Sequence, residues 1–156
     1  MDQTRRNVLR AGGGASLFAM LAAAGLLSPG AAQAADVSQK AFESKSLKDV
    51  LEAMGATSHT DSASIIMKAP EIAENGAVVP VGVESKIPGT ESIAILIDKN
   101  PTPLAASFEI PPGTMPEVST RVKMAQTSEV YALVKAQGKY YMAKKEIKIT
   151  IGGCGG

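Results

Sequence analysis

Ile147, Ile149 and Ile151 alternate with Glu146, Lys148 and Thr150. A buried face that repeats every second residue belongs to a strand, because a helix brings side chains to one face every third or fourth position. The same period recurs upstream, where Val118, Thr120, Val122 and Met124 alternate with Ser119, Arg121 and Lys123. Residues 130–135 and 140–143 read as two further strands, with Gln137-Gly138-Lys139 as the tight turn between them. Four earlier runs, Ile65-Ile66-Met67, 77–84, 92–98 and 104–110, are short, apolar and bounded by turn chemistry. Glu74-Asn75-Gly76 precedes the second of these, Lys99-Asn100-Pro101 closes the third, and Pro111-Pro112-Gly113 closes the fourth. Pro80 lacks an amide hydrogen, so its run is expected at a sheet edge or a bulge. About seven short strands with proline-rich turns predict a mainly β chain of the immunoglobulin-like β-sandwich class.

One stretch has a different period. Over residues 38–54, Leu47, Val50, Leu51 and Met54 recur at helical spacing, and Ser46 is placed as an N-cap with Asp49 three residues on. Gly55 suits the C-cap. A short N-terminal helical segment is therefore expected to lie over one edge of the core. Aromatic residues make up only 4% of the chain and tryptophan is absent, so that core must be aliphatic. No internal repeat or linker divides residues 35–151, which read as one domain.

Residues 1–34 read as an export signal. Arg5 and Arg6 stand just before an apolar stretch at 11–27, interrupted by Gly12, Gly13, Gly14 and Gly25. A permanent membrane anchor needs about 20 strongly apolar residues. Ala32-Gln33-Ala34 offers small residues for signal cleavage, expected after Ala34. Paired arginines and modest hydrophobicity fit a twin-arginine signal, with an ordinary secretory signal as the alternative. Either route leads out of the cytoplasm, and the periplasm is the expected compartment. Twin-arginine export handles folded proteins, often with a cofactor or companion; no cofactor motif is present, so a companion subunit is expected. Its binding face should be unusually apolar. Cleavage removes three basic residues and one acidic, leaving 13 basic against 14 acidic. A chain this close to neutral, with no basic stripe, does not suit nucleic acid as a partner.

The chain continues past its last strand as Gly152-Gly153-Cys154-Gly155-Gly156, and Cys154 is its single cysteine. One thiol in an exported chain bonds to another molecule, stays free, or carries something. Four glycines offer nothing to pack, so residues 152–156 are expected to form a flexible tail. From Ile151 to Cys154 such a tail reaches about 10 Å, at about 3.3–3.6 Å per residue. A thin arm bearing a nucleophile suits entry into narrow clefts. Its thiol has nothing nearby to lower an ordinary pKa of about 8.5, so activation must come from the site that receives it. Catalysis needs a base held against the nucleophile, and the single histidine, His59, lies in the Thr57-Ser58-His59-Thr60-Asp61 connection. One Cys and one His so far apart make no zinc site, and the tail glycines precede no helix that would make a phosphate loop. Three functional classes remain open: a non-enzymatic covalent carrier, a structural module dimerising through a Cys154–Cys154 disulfide, and a thiol enzyme such as a lone sulfurtransferase.

The chain resembles the SoxY family, the sulfur-carrier subunits of the bacterial thiosulfate-oxidising system. The resemblance rests on the C-terminal GGCGG of residues 152–156 and the APEIAENGAVVPV of residues 69–81. It also rests on the STRVKMA of residues 119–125 and on the twin-arginine signal. It implies an immunoglobulin-like sandwich paired with a SoxZ subunit. It implies that SoxAX, a haem protein, conjugates thiosulfate to Cys154, and that SoxB, a metal-dependent hydrolase, releases sulfate and leaves a persulfide. Where SoxCD is present, that sulfur is oxidised further in place. Haem, manganese and molybdenum belong to those partners; this chain is expected to bind no cofactor or metal and to be a carrier, not an enzyme.

Overall fold

The alternating runs become strands in two facing sheets, seen in a computed structural model that describes residues 39–151. The export signal with Arg5 and Arg6, and the tail with Gly152, Gly153, Cys154, Gly155 and Gly156, lie outside the described residues. Nine strands follow the helical segment: β1 (His59–Asp61), β2 (Ile65–Lys68), β3 (Ile72–Asn75), β4 (Val79–Ser85), β5 (Thr90–Ile97), β6 (Leu104–Glu109), β7 (Glu117–Val122), β8 (Ser128–Ala136) and β9 (Lys139–Ile151). The larger sheet runs β1-β9-β8-β5-β6, and β3 joins it by also pairing with β9. The smaller sheet is β2-β4-β7. The result is an immunoglobulin-like β-sandwich, as the pattern predicts.

Aliphatic side chains fill the space between the sheets. Val79, Val81 and Val83 of β4 meet Ile93, Ile95 and Ile97 of β5, Val130, Ala132 and Val134 of β8, and Ile147 of β9. The larger sheet is buried on its other face too. There Ala94, Leu96, Leu133 and Met142 pack under Val50, Ala41 and Ala56. Burial on both faces explains why β5 reads as a nearly continuous apolar run. The helical segment thus covers a sheet face, whereas the sequence placed it at a core edge.

That segment is also two pieces. Residues 39–43 are helical, and α1 (Leu47–Ala53) begins anew. Ser44 Oγ donates to the Lys40 carbonyl at 2.8 Å, competing for a helical acceptor. Ser46 then sits extended, at φ −132° and ψ 153°, with its Oγ accepting from the Asp49 amide at 3.1 Å. The predicted N-cap is therefore what interrupts the predicted single helix. Gly55 at φ +71° ends α1, a conformation that costs glycine little.

Other departures have equally local causes. Pro80 lies in β4, the central strand of the small sheet, but β2 pairs with β4 only from Gly82 to Ser85. At Pro80 the one partner is β7, through Arg121, so no ladder bond is forfeited on the open side. The two runs predicted at 140–143 and 146–151 are one 13-residue strand, β9. Lys144 and Lys145 keep the alternation: Lys144 bonds Glu129 on the outer face, and Lys145 Nζ donates to the Ala69 carbonyl at 2.6 Å. Ile147 is fully buried and Ile149 packs half-buried against the same core.

Candidate functional site at the end of β9

The described chain ends on β9, and the elements around residues 148–151 fix where the glycine tail begins. β8 accompanies β9 from Ala136↔Lys139 to Ser128↔Ile147 and then leaves it. Beyond that point β3 takes over in parallel, with Ile72↔Lys148, Ala73↔Ile149 and Asn75↔Ile151 in register. The Lys148 amide donates to the Glu71 carbonyl at 2.9 Å, and Thr150 Oγ1 donates to the Glu74 carbonyl at 3.2 Å. On the opposite side, the Ile149 amide donates to Thr127 Oγ1 at 2.9 Å.

The surroundings are braced by an asparagine pair. Asn75 Oδ1 accepts from the Ala77 amide at 2.8 Å, turning the chain directly after β3. Asn100 Nδ2 donates to the Lys123 carbonyl at 2.7 Å, and its Oδ1 accepts from the Ala125 amide at 3.0 Å. Between them, the Met124 amide donates to the Gly76 carbonyl at 2.7 Å, and its side chain is fully buried. Beside the root of the tail, Glu71, Ile72, Lys145, Glu146 and Lys148 line a shallow cleft of about 300 Å³. Among the described residues, the exposed large apolar side chains are Phe42, Ile72, Val78 and Met115, on separate elements and not gathered on one sheet face.

His59 does not belong to this site. It lies on β1 rather than in a loop, opposite Tyr140, and its Nδ1 donates to the Ala56 carbonyl at 3.0 Å. Tyr140 and Ile151 are eleven residues apart on one strand, about 36 Å at about 3.3 Å per residue. A thiol about 10 Å beyond Ile151 cannot reach that imidazole within one chain. Among the described residues, no three His, Cys, Asp or Glu side chains gather as metal ligands, and no helix is long and apolar enough to cross a membrane.

β3 and Thr127, which bond the end of β9, were both missed by sequence reasoning. β3 is four residues long with only Ala73 buried, so it shows no alternation to detect. Its one signal was the Asn75-Gly76 turn.

The family model described as sulfur oxidation protein SoxY matches residues 50–154, which takes in all nine strands and the cysteine. The chain belongs to the SoxY family. Among solved structures, the sulfur carrier protein SoxY from Chlorobium limicola f thiosulfatophilum is 45% identical, with 67% of this chain and 96% of that chain covered at a TM-score of 0.61. Bacterial superantigen toxic shock syndrome toxin-1 (10% identity, 56% and 99% covered, TM-score 0.40) and human F-spondin reeler domain (12%, 58% and 95%, TM-score 0.35) are far more distant and are set aside. No curated protein matches. The SoxY match and the sandwich therefore stand together, since the matched span includes every strand from β1 to β9.

Proposed function

We propose that this SoxY-family chain is a non-enzymatic carrier that holds sulfur intermediates covalently on Cys154 while partner enzymes act on them. The observation that carries the reading is that the family match extends through to Cys154, the only thiol. The similar solved chain is described as a sulfur carrier, which supports it further.

The chemistry follows from the thiol. Joining thiosulfate to the Cys154 sulfur forms an S–S bond and removes two electrons, which a haem partner of the SoxAX kind would accept. Attack of water on the outer sulfonate sulfur, assisted by a SoxB-like metal hydrolase, then breaks the S–S bond on the sulfate side of the adduct. Sulfate leaves, and the inner sulfur stays on Cys154 as a persulfide without any change in electron count. A SoxCD-like enzyme, or another acceptor, would take that sulfur onward. Covalent attachment keeps a small anion from diffusing away between enzymes. The glycines on both sides keep the arm slim enough for each partner to supply its own activation.

The same proposal places the mature chain in the periplasm, exported through the twin-arginine pathway by Arg5 and Arg6 and cut after Ala34, in a heterodimer with a SoxZ-like subunit. The paired arginines, the Ala32-Gln33-Ala34 site and the family support this. Intact-mass measurement on protein from thiosulfate-grown cells tests the carrier. Adducts on Cys154 heavier by sulfur and sulfonate are expected, and a Cys154→Ala strain should stop oxidising thiosulfate. Unmodified thiol throughout, with full pathway activity in that strain, refutes the reading.

A further inference from the structure

We infer that β3 is the positioning element of Cys154: by holding residues 148–151 it sets where the arm starts and how far the thiol extends. This rests on the carrier reading and deepens it.

The long strand β9 is secured in two unequal ways. Up to Ile147 it lies between β8 and, at its start, β1. After Ile147 its ladder partner is β3 alone, a four-residue strand whose Ile72 is 59% exposed and whose Ala73 is its buried side chain. Besides β3 and the Glu71 carbonyl that accepts from the Lys148 amide, the Thr127 hydroxyl and the half-buried Ile149 side chain hold this end among the described residues. A short strand with one buried side chain belongs to the low-stability end of a fold, and it opens separately from a core ladder.

Opening or closing β3 changes the reach of the thiol by a large factor. With β3 in place the arm begins after Ile151, and Cys154 extends about 10 Å from it. With residues 148–151 released, the last fixed residue is Ile147, seven residues before Cys154, and the reach becomes about 24 Å. Covalent geometry imposes both limits whatever conformation the tail adopts. While β3 is closed, a reacting group in any partner must come within about 10 Å of Ile151. A strand that no reactive group touches thereby decides which active-site depths the cargo can enter.

Three of the four lysines on β9 form a built-in ruler. Lys148 is three residues from Ile151, Lys144 is seven and Lys139 is twelve, or about 10, 23 and 40 Å of strand. A short thiol-to-amine cross-linker is applied to the exported protein, purified with any companion chain, with Cys154 reduced and only intrachain products counted. Wild type should join Cys154 to Lys148 and not to Lys144 or Lys139. Ala73→Asp, which puts a carboxylate at the buried β3 position, should add Lys144. Inserting three glycines after Ile151 should also add Lys144 with an unchanged unfolding midpoint, and Lys139 should remain unjoined in wild type and in the insertion variant. A Lys144 product in wild type, or in the insertion variant but not in Ala73→Asp, overturns the inference. Should Ala73→Asp fail to fold, hydrogen exchange on wild type decides. Residues 72–75 and 148–151 should then exchange together and about tenfold or more faster than residues 139–147. Equal protection along all of β9 overturns the inference. Loss of the sulfur adducts would remove the cargo and leave the cross-link pattern unaltered, so the two failures are separable.

Discussion

Asn100 is the clearest single point at which the segment leading to Thr127 can be loosened. Its side chain makes two hydrogen bonds to backbone, donating to the Lys123 carbonyl at 2.7 Å and accepting from the Ala125 amide at 3.0 Å. Neither group has a strand partner, because β7 ends at Val122 and β8 begins at Ser128. Truncation in Asn100→Ala removes both bonds, at about 0.5–1.5 kcal/mol each, so a loss of about 2 kcal/mol is expected. For a domain of this size that lowers the unfolding midpoint by roughly 8 °C. Asn100→Asp separates the two bonds. Its carboxylate still accepts from Ala125 but has no hydrogen to give Lys123, so its midpoint should fall between wild type and Asn100→Ala. Thermal unfolding followed by circular dichroism reads the order directly. Hydrogen exchange adds a local readout, because the Ile149 amide bonded to Thr127 should exchange faster in both variants. A midpoint for Asn100→Ala within about 1 °C of wild type would show that water replaces both bonds without cost, and the reasoning would fail.

Two further outcomes probe the body of the sandwich. A Cβ at Gly82 would meet Lys68 Cβ at 3.2 Å and the Val118 carbonyl at 3.6 Å, so Gly82→Val should destabilise by about 1–3 kcal/mol; a denaturation midpoint equal to wild type refutes this. Acid should weaken the fold in a set window. Glu84 is held below its ordinary 4.5 by the Lys68 ammonium, Glu91 by the Gly138 amide and then Lys135, and Glu129 by the Tyr131 hydroxyl and then Lys144. On acidification the unfolded chain takes up these protons first. The small stabilisation from these exposed groups is therefore present above pH 4.5 and is lost as the pH falls through the lowered folded values. A urea midpoint that stays flat or rises between about pH 5 and about pH 3 would contradict it.

What the sequence revealed, and what it hid, follows from how each element is stabilised. Ile147 and Ile149 announce β9 because a half-buried strand writes its burial into every second residue. Ser46 and Gly55 announce α1 because each side chain, or its absence, solves a terminal problem on its own. Pro80 misleads because the rule concerns a missing amide hydrogen, whereas the outcome depends on how far β2 runs beside β4, a property of another strand. β1 and β3 are silent for a related reason. Both are added in parallel to the outer edge of β9, with mostly exposed side chains, so backbone pairing holds them and composition records little of it. The strand that pairs with the chain just before the tail left no such pattern to read.

That division bears on how the molecule works. A nucleophile near a chain end serves several enzymes only if its origin is known to each of them, and that origin is defined only by a body that does not deform. The larger sheet supplies this: Ile95, Leu96 and Val134 are fully buried on its two faces, and β9 crosses it from end to end. His59, paired opposite Tyr140, lies about 36 Å along the strand from Ile151. On the carrier reading proposed above, reactivity comes from the receiving sites and the sandwich governs distance. Since β8 stops four residues before the tail begins, that distance is controlled by β3, a four-residue strand with one buried side chain, where a small change in pairing yields a large change in reach.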